Sequence, residues 1–503
     1  MSKTLNKQQI AKNAMFLYLR TFALIVVMLV SSRLLLKGLG VEEFGLYGLV
    51  GSIVAMFTSL RVVFASATQR FLNFEKAKHN TQTLSNIFTI SKRLHSWLSL
   101  IFIIITELLG IWAINSYLNI PDGRTTEAII VLQCSILTAV MMIMTVPYDA
   151  VIISNERFNI YAYLSILEAV LQLGAAFAIS FVAENRLIIY AITLFIIALT
   201  VRCVNMLYCR ISFEECRLKG YFDKDMLKSM SKFAGWNFLG NFALSIYNEG
   251  INMVLNIFGG VVANAAQSIS SQVIKGLSSV SDRMSTAFAP QATEQYSVGQ
   301  TDRFNELIIL SAKLINYVYL AMAIPIAIFT PLVIEIWLDR VPEYSVEFVR
   351  AILVYGLART IHSPLNLGFL CSGKLKQYQI MEISLLLPAL PLAYILLKLG
   401  LPLYWALLAM AISNIVNDIA IAFLARWAWQ FRIKEFVHGA LAPIFGIIMA
   451  SALGSSIVLW YVDNVYIEII LVLLCVAVSI LTIGFTPAQR RQVWELFARK
   501  TIA

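Results

Sequence analysis

Between Lys232 and Tyr296 two apolar segments meet at Phe258-Gly259-Gly260, and each carries small polar residues in a helical rhythm. Along the first, Asn237, Asn241, Ser245, Asn248, Asn252 and Asn256 recur at steps of three or four. At about 100° per residue these six fall within an arc of roughly 100° on a helix. Along the second, Asn264, Ser268, Ser271, Lys275, Ser278 and Asp282 fall within an arc of roughly 80° by the same geometry. Two helices of membrane length with polar seams have two options. They pack the seams on each other and on neighbouring helices, or they line a wet cavity.

The same periodicity, followed along the whole chain, predicts fourteen spans. Six lie at about 14–36, 44–65, 92–113, 126–148, 159–183 and 187–209. Four follow at 232–258, 262–288, 306–330 and 345–371, and four more at 378–398, 403–425, 439–461 and 465–485. The third begins at 92 or as early as Leu84, and the tenth contains Arg350, Arg359, His362 and Pro364. The first apolar run is of spanning length and lacks a small-residue cleavage site, so it reads as a span and not a cleavable signal.

Composition agrees with a polytopic, all-α membrane protein. Of 503 residues 59% are apolar and 14% charged, with a mean hydropathy of +0.76. A soluble chain carries about 25% charge. The spans use nearly all of the length, which leaves no room for a sizeable soluble domain. Six scattered cysteines form no CxxC pair and four lone histidines have no metal-ligand spacing, which argues against a disulfide framework or a bound metal.

The formal charge of +10 suggests nucleic acid until the basic residues are placed on the spans. With a cytoplasmic N-terminus, the cytoplasmic segments hold twenty-five Lys and Arg. The opposite loops hold five: Lys37, Arg124, Arg186, Arg340 and Lys398. The positive-inside rule accounts for this asymmetry, predicts both termini in the cytoplasm, and removes the need for a nucleic-acid partner.

An internal repeat is also visible. Leu36-Lys37-Gly38-Leu39-Gly40 between spans one and two has a counterpart in Ile257-Phe258-Gly259-Gly260 between spans seven and eight. After each pair comes a polar segment, Thr68–Asn73 in one unit and Pro290–Glu294 in the other. Six spans per unit return the chain to the same side, so the two units run parallel. Transporters built from such repeats place the substrate path between their lobes. The expected organisation is a basic tail at 1–13, an N-lobe at 14–209 and a linker at 210–231. A C-lobe at 232–425, two extra spans within 426–485 and a tail at 486–503 complete it.

Several blocks resemble the polysaccharide transporter family, the O-antigen and capsule repeat-unit flippases of the multidrug/oligosaccharidyl-lipid/polysaccharide exporter superfamily. They are Asn13–Arg20, Leu39–Tyr47, Gln69–Glu75, Phe222-Asp223, Gly235–Asn237, Phe258–Ala265 and Ala289–Gln291. The resemblance covers nearly the whole chain, and the order and spacing of these short motifs carry it. It implies two six-helix lobes that alternate access to a central, partly cationic cavity. It implies as substrate an oligosaccharide repeat unit on undecaprenyl diphosphate, moved from the cytoplasmic to the periplasmic leaflet of a bacterial inner membrane. Related lipid II flippases are thought to hold the diphosphate with arginines on the first, second and eighth spans, where this chain has Arg20, Arg61 and Lys275.

Charges inside a span cost about 2.5–3.5 kcal/mol when they face lipid, so they face protein or water. Nine basic residues lie within the predicted spans. Arg33, Arg283, Lys313 and Arg350 sit toward span ends and suit interfacial roles. Lys275 sits midway along its span, so it lines a cavity or pairs with Asp282 or Glu249. Arg20 lies on the face of Asn13, and is a cavity cation or a snorkelling one. Arg61 lies about opposite Ser52 on its helix and cannot share a cavity with the Ser52, Ser59 and Ser66 face. Arg359, His362 and Asn366 share an arc of about 60°.

The candidate substrate contacts are therefore Arg20, Arg61, Lys275, Arg359, Asn241, Asn248, Asn252 and Ser271. Cations replace the hydration of a diphosphate, and amides and hydroxyls meet sugar hydroxyls in either role. The candidate ion-coupling carboxylates are Glu168, Glu249, Asp282 and Asp418, for H⁺ or Na⁺. No other cofactor is expected, and the partners expected are the lipid-linked oligosaccharide, bilayer lipids and polysaccharide polymerase machinery. A cation-coupled small-molecule or multidrug antiporter of the same fold is the alternative. A membrane glycosyltransferase or polymerase needs a large extramembrane loop, which this chain lacks, so no enzymatic activity is expected.

Overall fold

The computed structural model describes residues 7–57, 68–69, 71–73, 75–76 and 81–485, without the side chains of 7–19, 229 and 231–239. Arg61 and the side chain of Asn237 lie outside the described residues. Every regular element among the described residues is helical. The protein is an all-α polytopic membrane protein, because long apolar helices satisfy their own backbone hydrogen bonds in lipid.

Eleven helical stretches among the described residues are long and apolar enough to cross a membrane. Two of them, Arg20–Phe57 and Gly240–Ser297, are double-length. They break at Gly40 (φ 83°, ψ 176°) and Gly260 (φ 61°, ψ −163°), a backbone region open essentially to glycine alone. The helices so divided are α1 (7–39), α2 (41–57), α7 (224–259) and α8 (261–297). Between them lie α3 (Thr81–Ser116), α4 (Thr125–Ser154), α5 (Phe158–Ala178) and α6 (Arg186–Ser212). Then come α9 (Thr301–Ile328), α10 (Ser345–Ser372), α11 (Leu375–Lys398), α12 (Trp405–Trp429), α13 (Ile433–Tyr461) and α14 (Val465–Gly484). The 28-residue α10 falls outside the apolar set, and it carries Glu347, Arg350 and Arg359. With the two divisions and α10, the described residues hold the expected fourteen.

The boundaries differ from expectation where polar residues extend helices past the apolar stretch. Helix α3 starts at Thr81, α7 starts at Lys224 inside the expected linker, and α8 runs on through Pro290 to Ser297. Helix α11 is interrupted at Leu387-Pro388, where proline removes a backbone donor. Helix α14 opens with Asn464, whose side chain accepts from the backbone of Tyr466 and Ile467, a cap worth about 1 kcal/mol.

Contacts divide the chain into two compact units. The first is Met1–Ile269 with Trp337–Ser345 and Leu397–Leu403, and the second is Ser270–Ile336, Val346–Leu396 and Tyr404–Ala503. In the first unit α2 meets the start of α8 through glycines. A β-carbon on Gly45 would stand 1.9 Å from the Val261 carbonyl oxygen, and one on Gly48 would stand 2.2 Å from Ser268 Oγ. Small residues let membrane helices approach this closely. The segment Trp337–Ser345 is tied to α1 by Trp337 Nε1 donating to the Leu29 carbonyl (2.8 Å) and by the Arg33–Asp339 ion pair (2.8 Å). In the second unit α14 is held to α9 by the Tyr317 hydroxyl donating to the Gly484 carbonyl at 2.8 Å.

Candidate functional site

Among the described residues, each unit encloses a cluster of charged side chains. In the first, α6 places Arg202 and Asn205 one turn apart, α4 supplies Asp149 and α5 supplies Glu168. Arg202 is 6% exposed, with Nη2 at 3.4 Å from Glu168 Oε2 and Nη1 at 4.0 Å from Asp149 Oδ2. Asn205 Nδ2 donates to Asp149 Oδ1 at 2.8 Å. Glu168 Oε1 and Arg202 Nε are buried and have no hydrogen-bond partner among the described residues. Arg20 reaches this cluster from α1, its guanidinium 4.8 Å from the Tyr161 ring centre, a cation–π geometry. Among the described residues Arg20 has no acidic partner, and its Nε is also buried and unpaired. With Gln172 and Ser165 these groups line a cavity of about 230 Å³. Its two cations and two carboxylates cancel, and among the described residues only Arg202 is ion-paired with the acids.

In the second unit the cluster spans α10, α11 and α12. Arg359 Nη1 lies 3.4 Å from Glu382 Oε1 and 3.5 Å from Asn414 Oδ1. His362, one turn on, faces Asp418 through Nδ1 (2.8 Å) and Tyr378 through Nε2 (2.7 Å), with Glu382 Oε1 3.2 Å from Nε2. His362, Glu382, Asp418, Tyr378 and Asn414 are all buried. Asp282 on α8 is exposed and interacts through space with Arg359 and Arg283.

The hairpin seam splits into two parts. Near the Gly260 break its asparagines act as glue. Asn256 Nδ2 donates to Asn264 Oδ1 (2.8 Å), and Asn264 Nδ2 donates to the Asn252 carbonyl (2.8 Å). The Asn119 backbone donates to Asn256 Oδ1 at 2.7 Å. Asn252 is itself buried, whereas Asn241, Glu249 and Ser271 are half-buried and Asn248 is exposed. Farther along α8, Lys275 is exposed.

Of the sequence candidates, the structure brings Arg20 and Glu168 to one cavity, and Arg359 and Asp418 to one buried cluster. It leaves Lys275, Asn248 and Asp282 on exposed helix faces. Arg202, Asp149, Asn205, Tyr378 and Glu382 are functional candidates that periodicity did not single out. The i,i+3 pair Arg202/Asn205 on an otherwise apolar helix was the available signal.

No protein-family model matches the chain, and no curated protein matches it in sequence. Solved structures do match in fold. An inward-facing multidrug resistance MATE family transporter of the MOP superfamily superposes with a TM-score of 0.69 at 16% identity, covering 80% of this chain and 94% of that one. The lipid II flippase MurJ in an inward closed conformation gives 0.66 at 14% identity, covering 97% and 100%. A MOP superfamily transporter from Pyrococcus furiosus, described as having a binding pocket of reverse polarity, gives 0.55 at 15%, covering 83% and 96%. The chain therefore has the fold of the MOP superfamily transporters.

Proposed function

We propose that this protein is a flippase for oligosaccharide repeat units carried on undecaprenyl diphosphate, as in O-antigen or capsule synthesis. In this reading it moves them from the cytoplasmic to the periplasmic leaflet of a bacterial inner membrane, with both termini in the cytoplasm. The observation that carries it is Arg20, a guanidinium at the wall of a cavity with no acidic partner among the described residues and an unpaired Nε. A cation desolvated without a counter-ion is costly in a membrane. It gains most from an anion that arrives with the substrate, and a phosphate offers charge-assisted, bidentate hydrogen bonds. Gln172, Ser165 and Asn205 beside it offer donors and acceptors for sugar hydroxyls. Lys275, exposed on α8, is the proposed phosphate contact of the second unit.

A second reading, a cation-coupled multidrug antiporter, is favoured by Glu168, whose buried Oε1 has no donor among the described residues and lies in the same cavity. A cationic drug would satisfy it. Proteoliposomes separate the two. Movement of a fluorescent lipid-linked oligosaccharide between leaflets, with no uptake of cationic dyes, supports the flippase. Dye transport without glycolipid movement supports the antiporter. In cells, deletion of the gene is expected to strand lipid-linked repeat units on the cytoplasmic leaflet.

A further inference from the structure

The second unit's cluster closes on one imidazole. His362 is 1% exposed and touches groups from two neighbouring helices, α11 and α12. Asp418, taken as a carboxylate, can only accept, so its 2.8 Å contact requires the proton on Nδ1. The other nitrogen is different. Nε2 lies 2.7 Å from the Tyr378 hydroxyl and 3.2 Å from Glu382 Oε1. Tyr378 and Glu382 lie one turn apart on α11, and both face this nitrogen.

Two protonation states are therefore both satisfied in one arrangement of heavy atoms. With Nε2 bare, the Tyr378 hydroxyl donates to it. With Nε2 protonated, the imidazolium donates to Tyr378 Oη, with the Glu382 carboxylate 3.2 Å away as its counter-charge. Only hydrogens move, because a hydroxyl is donor and acceptor by turns. A histidine fixed purely for structure needs one such state, and this pocket is built for two.

The surrounding charges agree. Asp418, Glu382 and Arg359 sum to one negative charge beside a neutral imidazole and to zero beside an imidazolium. The other groups packed on the site are Asn414 and Asn417 from α12, with Asn417 Nδ2 at 3.5 Å from His362 Nδ1. From α9, Asn316 is neutral and accepts from Thr360 at 2.8 Å. From α8, Asp282 acts on Arg359 through space. Loading a proton thus neutralises the inner cluster, and releasing it leaves a net charge inside the bilayer that favours hydration or movement. The ring stacks on Tyr378 (5.8 Å between centres), and Tyr378 on Phe369 (5.0 Å), so the geometry is held from the side.

We propose that His362 is an exchangeable proton site, loaded at Nε2, through which proton binding is coupled to the transport cycle. The coupling clause rests on the transport reading above, and the proton site itself does not. The test is nuclear magnetic resonance of full-length protein in nanodiscs with ¹⁵N-histidine. The His362 signals are identified by their loss in His362→Gln, with exposed His438 as the internal control. The expected result is a reversible change at Nε2 between bare and protonated forms across pH 5–9. If His362→Gln does not fold, Tyr378→Phe keeps the stacked ring and is expected to displace that transition by about one pH unit. A His362 signal fixed in one state throughout, in wild type and in Tyr378→Phe, overturns the proposal.

Parallel proteoliposome assays under an imposed pH gradient keep the two readings apart. A titrating His362 without glycolipid movement leaves the proton site standing and removes the flippase reading. Glycolipid movement with an untitrated His362 does the reverse.

Discussion

Arg202 and Glu168 meet at 3.4 Å inside the first unit, yet each keeps one buried atom, Nε and Oε1, without a hydrogen-bond partner among the described residues. An ion pair that serves stability alone is saturated by its neighbours, because a buried unsatisfied polar atom costs about 1–3 kcal/mol. This pair is open on the side of the cavity, where Arg20 and Gln172 lie. Arg202→Leu takes that cation from Glu168 and from Asp149, which keeps the Asn205 amide, an expected loss of about 3 kcal/mol. The check is the fraction of monodisperse protein left after graded heating in detergent. The triple variant Arg202→Leu, Glu168→Gln, Asp149→Asn is expected to recover most of the loss.

The approach of α2 to α8 rests on two glycines. Gly45→Ala would drive a β-carbon against the Val261 backbone, whereas at Gly51 no described atom comes within 4 Å of the added carbon. Overpacking of this kind costs about 1–3 kcal/mol. Heating curves should show Gly45→Ala clearly weakened and Gly51→Ala close to wild type. Equal behaviour of the two variants would mean that α2 and α8 are not in this contact.

Gly40 and Gly260 are limited by the backbone and not by space. A β-carbon at either position would meet no described atom within 4 Å, so the cost of Gly→Ala lies in the main-chain conformation. Both sit at positive φ with extended ψ, a conformation costing about 1–3 kcal/mol for a residue other than glycine. Gly40→Ala and Gly260→Ala are expected to lower thermal stability by similar amounts. D-alanine, introduced by semisynthesis at either position, should restore it.

The asparagine glue gives a sharper contrast along one hairpin. Asn256→Leu removes bonds to Asn264 and to the Asn119 segment at once and leaves the Asn264 side-chain oxygen buried without its donor. An expected loss of about 1–3 kcal/mol would be read from hydrogen exchange, with faster exchange at residues 117–120. Lys275→Ala, on an exposed face of α8, is expected to leave both stability and exchange unchanged.

Much of this fold could be read from residue order, because a span of apolar residues has one stable form in lipid. The Gly40 and Gly260 breaks were visible as loop glycines, since nothing else tolerates that backbone. The sites were legible only in part. Glu168, Arg359 and Asp418 stood out as charges within apolar runs. Their partners did not, because the rotation of α4, α5 and α6 about their axes decides which side chains meet. Arg202 was one basic residue among nine inside the spans, and Asp149 sat at the edge of an expected loop. The Asn252–Asn264 stretch shows the converse. Its periodicity was correct, but periodicity alone does not distinguish a seam that binds another helix from one that faces water.

The central claim is that Arg20 meets the phosphate of a lipid-linked oligosaccharide, and one measurement addresses it directly. Purified wild type, Arg20→Lys and Arg20→Ala are reconstituted with a fluorescent undecaprenyl-diphosphate oligosaccharide, and its transfer between leaflets is timed by chemical quenching. Loss of a charged hydrogen bond worth about 1.5–3 kcal/mol predicts a slowing of roughly ten- to a hundredfold in Arg20→Ala. Arg20→Lys, which keeps the charge but not the bidentate fork, should fall between. Folded Arg20→Ala protein that transfers the glycolipid at the wild-type rate would contradict the account.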